Sequence, residues 1–309
     1  MWFWVYVFVF MNFSPRGLSA VLLLLLWMNS SSVAAQAPVS ELAPVSELAP
    51  APLRFLLTFD DGPSASERDN PTEKILGVLQ KNRFQNDIKA IFFTQTQAKG
   101  AGGSEHGRAL LQRMHALGHE LAFHTATANH ANHRFLGEEA LSNSLKQGIA
   151  DLSVARGSAP QLVRPPFWSY NETTLDLYHA NQLQMLLTDL SANDGVIYVF
   201  NFSFTKRKNM RKLLLALRPQ WQAGTLPSID GATPIVVTFH DINRYTANHM
   251  EEYLEILLDV AKELEMPTTA LPFYDERDAM VKAALLKTTK ESGAKQELPG
   301  IWNWFWGWF

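Results

Sequence analysis

The chain carries Thr58-Phe59-Asp60-Asp61-Gly62-Pro63-Ser64 directly after the apolar run Phe55-Leu56-Leu57. The apolar run predicts a buried strand, and the Gly-Pro pair predicts the turn that ends it. Sites in α/β folds are built at the carboxyl ends of strands, so Asp60 and Asp61 are placed where chemistry takes place. One of two adjacent acids can bind a metal while the other takes a proton from water. An ordinary acidic turn is the alternative, and histidines further along the chain decide between the two.

Histidines occur at the ends of two other predicted strands. His124 closes one short apolar segment, and His240 closes a longer one. His130 and His133 follow within ten residues of His124, and Arg164 precedes a stiff Pro-Pro pair. A lone histidine is usually structural, but here acids, histidines and an arginine all fall at predicted strand ends. The joint pattern favours a metal site over an acidic turn.

The alternation of strands and helices predicts a parallel sheet with right-handed crossovers. Asn171 is the predicted cap of the fourth predicted helix and Thr246 that of the fifth. Strands are predicted near 54–60, 88–95, 119–124, 161–165, 184–188, 234–240 and 268–273. Helices are predicted over 72–83, 106–117, 137–156, 171–182 and 246–265.

These segments resemble the motifs of the NodB-homology polysaccharide deacetylases, carbohydrate esterase family 4. The resemblance spans residues 54–274 and implies a distorted (β/α) barrel of about seven parallel strands. Periodicity by itself does not distinguish that barrel from a doubly wound sheet. In order, the matching stretches are Thr58–Pro63, Ala90–Phe93, His124-Thr125 with a later histidine, Arg164–Phe167, Thr188–Asp194 and Phe239–Asp241.

The resemblance implies one divalent metal ion as cofactor, with Zn²⁺ favoured, and it makes Asp61 and His124 two of the ligands. The chain has no cysteine, so any ligands must be histidine and carboxylate. The family usually places its second imidazole four residues after the first, but position 128 is alanine. His130 is the predicted second imidazole, brought to the metal by a non-helical loop, and His133 is the alternative.

Matching motif to motif makes Asp60 the general base and His240 the general acid that protonates the sugar nitrogen. Arg164 then pairs with Asp60 and keeps it oriented. Asp194 faces His240 and raises its pKa. The backbone N–H of Phe167 helps the metal bind the oxyanion.

Two departures from the family pattern affect these predictions. Asp194 is followed by Gly195 instead of tryptophan, which leaves Asp189 as a substitute partner for His240. The third motif reads Phe167-Trp168 where Tyr-Gly is common. Trp168 is either a sugar-stacking surface or a core residue.

The termini predict how the chain is organised. Residues 1–37 resemble a secretory signal peptide whose true start is either Met1 or Met11, and an uncleaved membrane anchor is the alternative. Residues 38–53 form a proline- and alanine-rich spacer, 54–285 the deacetylase domain, and 286–309 a tail with a Trp-rich end. The protein is expected to be secreted or periplasmic. Its termini are candidates for contact with a membrane or cell wall, and its oligomeric state is not predicted.

The expected substrate is an N-acetylated polysaccharide that contains N-acetylglucosamine, such as peptidoglycan, a chitin-like oligomer or a biofilm glycan. The net charge is −3, so the chain lacks the excess of basic residues that is typical of nucleic-acid-binding proteins, and nucleic acid is not expected as a partner. Three alternatives remain at this stage: an acetyl-ester hydrolase, a cyclic-amide hydrolase, and a catalytically inactive glycan-binding module of the same fold.

Overall fold

The computed structural model describes residues 49–194 and 205–290, which contain eight strands and eight α-helices. The strands are β1 Leu53–Asp60, β2 Ala90–Gln95, β3 Glu120–Thr125, β4 Leu162–Val163, β5 Gln184–Met185, β6 Leu190–Ser191, β7 Thr233–His240 and β8 Thr268–Phe273. The helices are α1 Pro71–Gln80, α2 Glu105–Ala116, α3 Glu138–Arg156, α4 Glu172–Ala180, α5 Lys206–Gln222, α6 Arg244–Asn248, α7 Met250–Glu263 and α8 Arg277–Leu286. Two 3₁₀ turns, His133–Phe135 and Pro166–Trp168, lie at the ends of loops.

The strands form one parallel sheet in the order β5-β4-β3-β2-β1-β7-β6, with β8 pairing to β1. Seven parallel strands curl into a half-barrel, which confirms the predicted distorted (β/α) barrel. The central strands β1 and β7 are eight residues long, whereas β4, β5 and β6 have two residues each. Long central strands and short outer ones leave the sheet curled but not closed into a regular barrel.

The central strands are almost continuously apolar because helices and loops cover both faces of the sheet. Phe59 of β1 stacks on Phe92 of β2 at 5.0 Å between ring centroids and on Phe239 of β7 at 5.6 Å. All three rings are at most 1% exposed. Aromatic packing across three neighbouring strands therefore fixes the relative positions of the strands that carry the polar residues at their ends.

The helices agree with prediction up to α4 and differ after it. Asn171 caps α4 through a capping box with Thr174, as predicted. The single helix predicted over 246–265 is instead two helices, α6 and α7, and the predicted cap at Thr246 is wrong. Asn243 caps α6, while Thr246 is buried within it, and α7 begins after His249. The sequence pattern did not predict β6, α5 or α8.

Several sequence predictions lie outside the described residues, namely the signal peptide, most of the spacer, Gly195 and the Trp-rich end. Within residues 49–194 and 205–290, no helix combines the length and apolar character that crossing a bilayer requires.

Candidate active site

The carboxyl ends of the central strands bring together the acids and histidines that the sequence singled out. Asp60 and His240 are the last residues of β1 and β7, and their Cα atoms are register partners. His124 is the fifth residue of β3, and Arg164 follows β4 with its backbone N–H bonded to the carbonyl of Phe123. Backbone pairing therefore sets the spacing of these four side chains before any contact between them is considered.

Asp61, His124 and His130 form a cluster whose ligand atoms all lie within 4.8 Å of one another. Asp61 Oδ1 is 3.1 Å from His124 Nε2 and 3.1 Å from His130 Nε2. Asp61 Oδ1 and His130 Nε2 are both buried without a hydrogen-bond partner. Buried polar atoms that converge without partners are costly unless a further group satisfies them. One carboxylate and two imidazoles match the donor set of a catalytic zinc site with an open position, so the cluster fits a divalent cation.

The orientation of His124 supports this assignment. Its Nδ1 lies 2.8 Å from the backbone carbonyl oxygen of Arg164, which can only accept a hydrogen bond. Nδ1 therefore carries the proton, and Nε2 presents its lone pair to the cluster. A metal-binding histidine is commonly held in this way by a hydrogen bond from its other ring nitrogen.

The carboxyl of Asp61 has a pKa well below its ordinary value. Burial raises this pKa, but the neighbouring imidazoles of His124, His130 and His240 outweigh that effect. The side chain is therefore ionised at neutral pH, as a metal ligand must be.

The structure brings His130, not His133, to the cluster. His130 reaches it from a non-helical loop with a backbone φ of 52°. His133 is 1% exposed and lies between the hydroxyl of Tyr178 at 2.7 Å and that of Thr125 at 3.2 Å. Burial lowers the pKa of His133 to about 3, so its ring is neutral. His133 therefore occupies a structural position behind the cluster.

Asp60 is held by a fully buried arginine. Arg164 Nη1 donates to Asp60 Oδ1 at 2.7 Å and to the hydroxyl of Thr58 at 2.8 Å. Its Nε and Nη2 donate to the carbonyls of Leu186 and Leu187, so the guanidinium is bonded on every side. The geometry thus orients Asp60 beside the cluster, as predicted for Arg164 and its partner.

The aromatic residues after Arg164 take different positions. Trp168 is 9% exposed and packs against the guanidinium of Arg164 at 5.0 Å, so its position is that of a core residue and not of an open stacking surface. Phe167 is 37% exposed, and its ring centroid lies 4.8 Å from that of His130. Its backbone has a φ of 58°, which turns the segment at the edge of the cluster.

His240, the last residue of β7, is hydrogen-bonded to Asp194. Its Nδ1 is 2.8 Å from Asp194 Oδ1, and its backbone N–H donates to Oδ2 at 2.9 Å. Thr246 also donates to Oδ2, at 2.6 Å. Burial lowers the pKa of His240, but the charge and hydrogen bond of Asp194, with Asp61 and Asp60, raise it to about 10. The imidazole is therefore a protonated group whose Nε2 lies 3.9 Å from Asp61 Oδ2.

The substitute partner Asp189 lies elsewhere. It accepts from the backbone N–H of Val236 at 2.8 Å and pairs with Lys287 at 2.9 Å. Two residues after Lys287, the backbone N–H of Thr289 donates a hydrogen bond to the carbonyl of Met185 in β5. Asp189 therefore joins β7 to the segment that follows α8, and Asp194 is the acid that faces His240.

The chain is similar to known polysaccharide deacetylases and carbohydrate esterases. Residues 50–186 match the family model described as polysaccharide deacetylase. This match covers less than half of the chain, from just before β1 to just after β5. A chitin deacetylase from Pestalotiopsis sp is 30% identical over 163 residues, which cover 51% of this chain and 49% of that protein. The chain thus spans about half the length of the curated relative that it matches.

Two solved structures share the fold of this chain. The chitin deacetylase from Colletotrichum lindemuthianum has a TM-score of 0.52 at 22% identity, covering 72% of this chain and 86% of that one. The family 4 carbohydrate esterase from Streptomyces lividans, in complex with acetate, has a TM-score of 0.50 at 21% identity, covering 69% and 91%. At these identities, the likeness concerns the fold alone.

Sequence reasoning missed the contacts that hold the turn carrying Asp61. Asp241 is fully buried, and its Oδ2 accepts from Thr72 at 2.7 Å. A Cβ added to Gly62 would lie 2.1 Å from both carboxylate oxygens of Asp241. On the other side, Gln95 donates from its side chain to the carbonyl of Asp61 at 3.0 Å. The glycine after the two acids was the available signal, since glycine marks a close approach of backbone to a neighbour.

Proposed function

We propose that this protein is a metal-dependent hydrolase that removes N-acetyl groups from a polysaccharide containing N-acetylglucosamine. The observation that carries the proposal is the convergence, at one sheet edge, of the Asp61–His124–His130 cluster with the Asp60–Arg164 pair and the Asp194–His240 pair. Amide hydrolysis needs a base for the attacking water and an acid for the departing amine, and these pairs supply both.

A divalent ion, with Zn²⁺ favoured, would be held by Asp61, His124 and His130, and it supplies Lewis-acid chemistry and a water of lowered pKa. Asp60 takes a proton from the attacking water as the new C–O bond forms. Its orientation is maintained by Arg164, which keeps Oδ1 engaged at 2.7 Å. The C–N bond then breaks, and the acetyl group is released as acetate.

His240 donates a proton to the nitrogen that departs with the sugar. Asp194 keeps that proton on the imidazole until it is needed, because the buried carboxylate stabilises the charged ring. Water is thereby added across the amide bond, and the products are acetate and a glucosamine residue. The exposed ring of Phe167 lies beside His130, and in this proposal Phe167 contacts the substrate and turns its backbone N–H to the oxyanion.

The substrate class is the least defined part of the proposal. The Pestalotiopsis relative is named for action on chitin, which is a polymer of N-acetylglucosamine. We propose the same sugar here, within peptidoglycan, a chitin-like oligomer or a biofilm glycan. Residues 1–37 and the spacer support a secreted or periplasmic location, which N-terminal sequencing of the exported protein would test.

Acetate release is the experiment that tests the proposal. The purified protein is offered N-acetylglucosamine oligomers, peptidoglycan and acetylated xylan, with added Zn²⁺ and with chelator. Chelator-sensitive release from the first two substrates, absent in Asp60→Asn, is the expected result. Release from xylan alone would make the protein an acetyl-ester hydrolase. No release from a folded protein that binds each glycan would make it the inactive glycan-binding module.

A further inference from the structure

The loop between β3 and α3 presents a metal ligand from an unusual backbone conformation. His124 and His130 are six positions apart, a spacing that cannot place two side chains on one face of a helical turn. His130 instead has a φ of 52°, in the left-handed region that side chains other than glycine seldom adopt. Such a conformation persists only where neighbouring contacts hold it.

The first of these contacts comes from a threonine hydroxyl. Thr127 Oγ1 accepts a hydrogen bond from the backbone N–H of Ala131, the residue directly after His130, at 2.7 Å. The same hydroxyl lies 2.9 Å from Thr125 Oγ1. Thr125 belongs to β3 and is fully buried, so the loop is tied back to the sheet at the peptide that follows the ligand.

His133 extends this chain of hydrogen bonds to a helix. Its Nε2 lies 3.2 Å from Thr125 Oγ1, and its Nδ1 lies 2.7 Å from the hydroxyl of Tyr178 in α4. Tyr178 is fully buried, and the His133 ring stacks on Phe123 with 6.0 Å between centroids. Hydrogen bonds between such groups are strong in a low-dielectric interior and fix the geometry of a loop.

The bridging position calls for an imidazole. A neutral imidazole has polar atoms on opposite sides of a rigid ring, one that donates and one that accepts. It can therefore span the two hydroxyls of Thr125 and Tyr178 while stacking on Phe123. An aliphatic side chain would fill the same volume but would leave both hydroxyls without this partner.

We infer that His133 and Tyr178, acting through Thr125 and Thr127, are positioning residues that hold the metal ligand His130 in place. This inference rests on the metal site of the proposed function. It gives His133 a role distinct from that of a ligand: it makes the six-residue spacing compatible with metal binding. Partners behind a metal ligand typically change metal affinity by about 10- to 100-fold when they are altered.

Zinc affinity of the metal-free protein tests the inference directly, by titration of Zn²⁺ against a chromogenic chelator. Thr127→Val and Tyr178→Phe each remove one hydroxyl at nearly constant volume, and each is expected to raise the Kd for Zn²⁺ by about 10- to 100-fold. Tyr274→Phe is the matched control, since this buried tyrosine lies under Arg54 at the start of β1, and its Kd should equal that of the wild type. Absorption spectra of the Co²⁺-loaded proteins report whether the ligand set has changed.

A double variant separates positioning from general stability. Thr127 and Tyr178 belong to one chain of hydrogen bonds, so their effects on zinc affinity should not be additive. Wild-type zinc affinity in both folded single variants, with a lowered Tm alone, would overturn the inference and leave a purely structural network. If the wild type itself binds no Zn²⁺, the proposed function fails instead, and the two failures are therefore distinguishable.

Discussion

The candidate site has two halves that are built differently. Asp60, His124 and His240 sit at the ends of strands, where ladder hydrogen bonds and stacked phenylalanines fix them. His130 and Asp194 sit in loops, where side-chain hydrogen bonds hold them. The strand-borne half comes from backbone geometry, whereas the loop-borne half depends on particular hydroxyls.

The difference shows in the backbone as well. His130, Phe167 and Asn193, which all lie in loops at the site, have positive φ values of 52°, 58° and 53°. Such conformations are held by surrounding contacts and are found disproportionately at functional sites. Changes at Asp60 or His240 of the strand-borne half should therefore abolish the chemistry, while changes in the loop-borne half should weaken metal binding or shift a pKa.

The largest effect is expected where the halves meet. Asp61 follows β1, and its Oδ1 lies 3.1 Å from Nε2 of His124 in the strand-borne half and 3.1 Å from Nε2 of His130 in the loop-borne half. Lewis-acid chemistry is worth several kcal/mol, so Asp61→Ala or removal of the metal should lower kcat/KM by about 10³-fold or more. Zinc content and acetate release measured on the same samples check this prediction. Full activity of a metal-free sample would contradict it.

A change at Asp60 of the strand-borne half should lower the rate of catalysis without releasing the metal. Asp60→Asn keeps the shape of the side chain but removes the base, and general-base catalysis is worth about 10²- to 10⁴-fold. We expect kcat to fall by that factor while zinc affinity stays at the wild-type value. A parallel loss of zinc would show that Asp60 is itself a ligand.

A change in the loop-borne half should move a pH dependence. Asp194 raises the pKa of His240, so Asp194→Asn should lower it and shift the alkaline limb of kcat/KM down by about one to three pH units. An alkaline limb that stays in place would mean that another group is the acid.

The same pair predicts a dependence of stability on pH. Because the pKa of His240 is higher in the folded protein than in the unfolded chain, protonation of His240 stabilises the metal-free protein. This contribution is fully present below pH 6.5 and is lost as pH rises through about 10. In Asp194→Asn this loss should also begin near pH 6.5, but it should be smaller and complete at a lower pH. Urea denaturation of the metal-free proteins across that range measures both curves.

The smallest effect concerns two glycines. In Gly62→Ala the new Cβ would meet Asp241, so the turn must move, at a cost of about 1–3 kcal/mol in the free energy of unfolding. Gly77→Ala in α1 meets nothing within 4 Å and should stabilise the fold by about 0.5–1 kcal/mol. Urea denaturation of both variants gives the comparison. Equal stability of Gly62→Ala and the wild type would contradict the close contact between Gly62 and Asp241.

The sequence predicted the strand-borne half because it depends on features that repeat along the chain. Apolar runs ending in Asp60, His124 and His240 locate the ends of β1, β3 and β7. Parallel pairing brings these ends to one edge of the sheet, where β7 is next to β1 and β2 lies between β1 and β3. The alternation of these runs with helices predicted a parallel sheet, and the family resemblance was needed to predict the barrel.

The residues of the loop-borne half could be identified from the sequence, but their geometry could not be predicted from it. His130 and Asp194 were chosen by their place in motifs. The geometry of His130 depends on the hydroxyl of Thr127, and that of Asp194 depends on the hydroxyl of Thr246, which is distant in the chain. Thr246 itself was expected to cap a helix, because threonine before an apolar run predicts a cap. Its buried contact with Asp194 arises from tertiary packing, which local pattern does not encode.

The most direct test of the whole account is anomalous diffraction at the zinc edge from crystals of the protein soaked in Zn²⁺. The account predicts one strong peak about 2.0–2.1 Å from Nε2 of both His124 and His130 and at a similar distance from Asp61, with His133 still bonded to Tyr178. A peak bound by His133, or no peak among these three side chains, would contradict it.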